Sequence, residues 1–159
     1  MSRVYRLPLV AINLGASKQD VWAITTGASL GAVMEEIRLD PCSTTLTDFN
    51  LSLSLFTGNF TAGAGGATLT PVPTDQADTG STFTAKSQNT TQTAIGTGNK
   101  KTLDAGQWNL VNGWVWQPLD PRHRIVIPVS ACLVVSLDST PSSQIVSGCM
   151  IVSEGNNQG

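Results

Sequence analysis

Few residues in this chain have the types and spacing that chemistry requires. The single histidine, His123, follows Asp120-Pro121 and sits between Arg122 and Arg124. A general base needs a nucleophile within reach, and no Ser or Cys nucleophile motif accompanies His123, so it reads as a surface-loop side chain beside two cations. Glu35-Glu36 with Asp40 and Asp48 could form a carboxylate group for acid–base work or for calcium. Neighbours on a strand point to opposite faces, and there is no D-x-D-x-D-G pattern, so solvated charges paired locally with Arg38 are the better reading. Gly63-Ala64-Gly65-Gly66 lacks both the strand-then-helix setting and the Lys-Ser/Thr of a phosphate loop, and reads as flexible linker. Sequons begin at Asn50, Asn59 and Asn89, but without a secretory signal they carry little weight.

Cys42, Cys132 and Cys149 are an odd number at wide spacing, with no C-x-x-C. Neither a disulfide framework nor a zinc site is indicated, and Cys132 and Cys149 read as small buried hydrophobes, with a bridge between them as the less favoured option. The expectation is therefore a protein that is not an enzyme, with no catalytic residue, metal, cofactor or small-molecule substrate.

The tryptophans are the more informative residues. Trp108, Trp114 and Trp116 fall within residues 108–118, and Trp22 lies in an earlier apolar run. Read with period two, Trp108, Leu110, Trp114 and Trp116 share one face of a single strand while Val111, Gly113 and Val115 share the other. Aromatics along an exposed β-face could stack on sugar rings. Apolar residues on the opposite face and a glycine between Asn112 and Trp114 favour packing on both sides, so Trp22, Trp108, Leu110, Trp114 and Trp116 are expected in the core or at a subunit interface.

The elements that position these residues read as short strands. Residues 3–12 are extended, with Pro8 marking a sheet edge or a bulge because proline cannot donate to a central ladder. Residues 21–25 form a second strand. Residues 30–40 match both a helical stripe and a strand; the β-rich context and the stop at Asp40-Pro41 decide for strand. Phe49, Leu51, Leu53 and Leu55 alternate with Asn50, Ser52 and Ser54, predicting one core face and one wet face. Residues 125–127, 131–137 and 144–153 complete the set. Between them, residues 57–101 form a long Thr/Gly-rich arm anchored chiefly by Phe60, Leu69, Val72, Phe83 and Ile95, with short strands near 82–87 and 91–95, and it is expected to reach across the surface.

These eight to ten strands predict an all-β protein over residues 1–159: one jelly-roll-like β-sandwich domain, with a closed barrel as runner-up. Charged residues are 13% of the 159, half the usual share, and the net charge is −2. The nine Lys and Arg are dispersed, so nucleic acid is an unexpected partner. No apolar run approaches a bilayer span, and the N-terminus lacks the apolar core of a signal peptide; the chain reads as non-membrane and made in the cytoplasm.

Several segments taken together resemble a known family. Val4-Tyr5-Arg6-Leu7, Leu51–Phe56, Ala67–Asp75, Asn112–Pro118, Arg124–Pro128 and Val146–Glu154 are similar to segments of small cement or decoration proteins of tailed bacteriophages. The resemblance implies a homotrimer of β-sandwiches on the capsid exterior, bridging neighbouring major capsid proteins and holding the virion shell against internal pressure. The alternative is a carbohydrate-binding β-sandwich appendage of a phage head or tail, which requires exposed tryptophans.

Overall fold

A computed structural model describes residues 3–15, 17–41, 48–109, 111–139 and 144–155. In chain order its strands are β1 (Arg3–Leu14), β2 (Gln19–Thr25), β3 (Ala32–Pro41), β4 (Asp48–Thr57), β5 (Phe60–Thr61), β6 (Ala67–Leu69) and β7 (Val72–Pro73). They continue as β8 (Thr84–Asn89), β9 (Ala94–Ile95), β10 (Asn99–Asn109), β11 (Trp114–Trp116), β12 (Ile125–Ile127), β13 (Ala131–Leu137) and β14 (Gln144–Glu154), with one 3-10 turn at Pro121–His123.

Two antiparallel sheets face each other across one hydrophobic core. The first runs β11-β3-β14-β1-β7, with β12 also paired to β3; the second runs β10-β4-β13-β2-β8-β6. The long strands β1 to β4 alternate between the sheets, and each pairs with a strand from the other half of the chain. The pairs are β1 with β14, β2 with β13, β3 with β11 and β12, and β4 with β10. The polypeptide is thus a long hairpin folded across itself into an all-β sandwich, as its alternating patterns predict.

The strand expected in residues 30–40 forms as β3 from Ala32 onward, but a bulge changes its parity. Glu36 pairs with Ile151 and Met34 with Val152, leaving Glu35 as the extra residue. Core positions therefore switch from Ala32 and Met34 to Ile37 and Leu39, instead of the single alternation through Val33, Glu35, Ile37 and Leu39. Pro8 meets both expectations. The ladder shifts just beyond it, where Ala11 has positive φ, and β7 covers β1 only at Tyr5 and Arg6.

One expectation fails on the second sheet: Ser52 and Ser54 are buried rather than wet. Beside them all seven residues of β13 are buried, as a strand apolar on both faces requires. The cause is the arm, which does not travel away. It turns back and covers the outer face of its own sheet. Asn59 accepts backbone hydrogen bonds from Gly96 and Gly98, β5 pairs with β9, and Ala64 bridges Thr91. Beneath them Phe60 packs on Phe56, with ring centroids 6.4 Å apart, beside a small outer cluster of Ala23, Cys132 and Val134. Of the expected anchors, Phe83 is buried, Leu69 and Phe60 are partly buried, and Val72 and Ile95 are exposed.

A third attachment holds the part of the arm near Thr82. Glu154, buried at the end of β14, pairs with Arg3 at 2.9 Å and accepts from the Thr82 amide at 2.8 Å. Tyr5 donates to the Thr79 carbonyl at 2.8 Å and meets Phe83 edge-on.

Candidate functional site

The tryptophan segment is not one strand. Its first part ends β10 in the second sheet and its last part is β11 in the first, so the chain crosses the sandwich between Trp108 and Trp114. Trp108 is buried against Phe49, and its indole N–H donates to the Asn112 carbonyl at 2.7 Å, tying off the crossing. Trp114 and Trp116 are partly buried and pack on the core from the opposite sheet. Leu110 lies outside the described residues. Val111 and Val115 on the other side are exposed, so this segment is covered on one side only.

Trp22 is the most enclosed of the four. It has no exposed surface, and it packs from β2 onto Gly148 of the facing sheet, where a Cβ would lie 2.9 Å from the indole. Burying such a ring contributes about 4–6 kcal/mol as an upper bound. No tryptophan forms an exposed stacking platform, which removes the feature that the carbohydrate reading required.

Under the arm lies a buried polar row that the sequence did not reveal. Ser52 of β4, Ser136 of β13, Asp20 of β2 and Asn89 of β8 stand opposite one another across four strands, and all four are buried. Asp20 is the node. Its Oδ2 accepts from the amide and the hydroxyl of Thr93 in the arm, both at 2.8 Å, and its Oδ1 accepts from Ser136 at 3.0 Å. Burial pushes the Asp20 carboxyl above its ordinary range, against the lowering effect of the Thr93 and Ser136 hydrogen bonds. Gly63 donates to the Thr93 hydroxyl at 3.0 Å, and a Cβ on it would fall 2.7 Å from the Asp20 carboxylate. A lone acidic residue beside an apolar run gives no local sign of such a role.

The outer face of the first sheet carries no such cover among the described residues. Across it, Val115, Arg38, Cys149 and Pro8 stand in one row, and Glu36, Ile151, Arg6 and Val72 in another. Val115, Arg38, Pro8, Arg6 and Val72 are exposed, while Cys149 and Ile151 are half-buried. Small apolar groups alternate with a few charges, a composition suited to contact with another protein.

The remaining candidates separate. Glu35 and Glu36 do not diverge as adjacent strand residues should; the bulge brings both to one shallow depression with Arg124, Gln117 and Ile151. Glu35 pairs with Arg124 at 2.7 Å and accepts from Ser153, whereas Arg38 pairs with Asp40 at 3.0 Å. No group of three potential metal ligands occurs among the described residues. His123 is exposed in the 3-10 turn that Asp120 caps. Cys132 and Cys149 are free and lie on the outsides of opposite sheets, which rules out the bridge, and burial raises the Cys132 thiol to about 11. Cys42 lies outside the described residues. Of the sequon asparagines, Asn50 and Asn59 are exposed and Asn89 is buried.

Comparison of the chain with protein-family models, characterised proteins and solved structures gives no match.

Proposed function

We propose that this chain is a virion structural protein of a tailed bacteriophage, a cement protein that binds the capsid exterior as a homotrimer and bridges neighbouring major capsid proteins. The observation that carries the reading is the asymmetry of the sandwich. One sheet is closed by the chain's own arm, and the other presents, among the described residues, an open face of Val115, Arg38, Cys149 and Pro8. We read the strand order of this all-β sandwich as jelly-roll-like, an architecture that viral capsid and lectin domains use, and that reading favours a scaffold built for contact. Low charge fits broad, weakly screened contacts, and several modest patches joined in one oligomer reach high avidity.

The test combines a protein inventory of purified virions with the molar mass of the isolated protein. Many copies per particle and a trimeric mass are expected; a virion population without the protein ends the proposal.

A further inference from the structure

The strand at the free end of the second sheet carries unused bonding capacity. Among the described residues β10 pairs only with β4, which leaves the backbone groups of its other edge unpaired there, and every residue from Asn99 to Gln107 is exposed. Eleven residues is long for an edge, and such an edge is a template for another strand.

Its charges have a pattern. The ladder with β4 shifts between Thr102 and Asp104, so Leu103 is an extra residue. Without that bulge Lys101 and Asp104 would point to opposite faces, since they are three residues apart. With it, both share the face of their partners Leu55 and Leu53, which pack on the core. Lys100 is engaged elsewhere, its ammonium 5.5 Å from the Phe56 ring centroid. Lys101 and Asp104 make no ion pair or side-chain hydrogen bond among the described residues.

We propose that β10 pairs edge to edge with β10 of a second copy of this chain, antiparallel, about a two-fold axis at the Thr102–Leu103 bulge. In that register Lys101 stands opposite Asp104 of the partner copy, on the same face, and the axis repeats the pair. Lys100 then meets Ala105, and Asn99 meets Gly106, whose side-chain space is open. No like charges face each other. Lysines on an edge also discourage pairing by like-charge repulsion, and a bulge does so by twisting the strand. Here the charges are complementary in the two-fold register, and the axis sets the two bulges opposite each other, so the register is kept on both sides of them. An isologous contact of this kind closes two molecules, or joins two larger oligomers. Within the proposed shell function it links neighbouring trimers; on its own it makes dimers.

The test is molar mass in solution by light scattering, over a range of protein concentration. The wild type is expected to double its basic mass, monomer to dimer or trimer to hexamer, so the outcome separates this contact from the trimer. Lys101→Asp and Asp104→Lys, each alone, weaken doubling about tenfold or more by facing like charges, and the two combined restore it. Both positions are exposed, so melting temperature stays at the wild-type value and reports that the fold is intact. Absence of doubling up to the solubility limit, doubling indifferent to either single exchange, or failure of the double exchange to restore it overturns the proposal.

Discussion

Asp20 is where a single side chain has the most consequence. Its carboxyl has lost water and gained three donors, and burial outweighs them, so its folded pKa lies above the ordinary 3.8. The folded state therefore holds the Asp20 proton more tightly than the unfolded state does. That contribution to stability is complete below pH 3.8 and is lost as pH rises through the raised folded value. Asp20→Asn is expected to flatten stability over that window while keeping an acceptor for Thr93. Asp20→Ala leaves the Thr93 amide and two hydroxyls unpaired, a loss of about 3 kcal/mol. Chemical denaturation of both variants across acid pH checks this, and an Asn variant that keeps the wild-type pH slope would refute it. Nothing in Gln19-Asp20-Val21-Trp22 announces the role, because the donors come from residues about 70 and 116 positions away.

Among the elements, the arm departs most from its sequence. Its Gly/Thr-rich texture suggested an excursion, yet β5, β9 and the 90–93 segment form a strap over β2, β13 and β4. Its hold on the sheet is narrow: Phe60 on Phe56, Thr93 on Asp20, and Gln92 on the Leu137 carbonyl. Closure depends on Gly63, where any side chain meets the Asp20 and Asn89 side chains and the Thr91 carbonyl at 2.7 Å. Gly63→Val is expected to lift the strap while the sandwich persists. Limited proteolysis should then cut within residues 57–66 or 90–98 first, and unchanged resistance there would refute the arrangement. The tryptophan segment illustrates the same limit of pattern reading. Its period of two survives a change of sheet, because Trp108 and Trp114 both point into the one core from opposite sides.

At the scale of the whole molecule, the two outer faces differ in a way that can be read with thiols. Cys149 stands half-buried on the open face and Cys132 under the strap, with its thiol raised to about 11. In the free protein Cys149 is expected to react with a thiol reagent and Cys132 to stay inert until unfolding. If the open face meets the shell, capsid-bound protein loses Cys149 labelling; labelling equal in free and bound protein would place the contact elsewhere.

The sequence by itself determined the class. Alternation in residues 49–55 and 131–137, the turn signals between runs, and the absence of long helical stripes suffice for an all-β sandwich, because side-chain period is a local property of the backbone. It also located Trp22 and Trp108 as packing residues, and the proline that marks the sheet margin. Only the tertiary structure decided which faces are closed. Burial of Ser52, the parity switch at Glu35, the Asp20 node and the shared face of Lys101 and Asp104 on β10 all depend on which strands become neighbours, and those neighbours come from opposite halves of the chain.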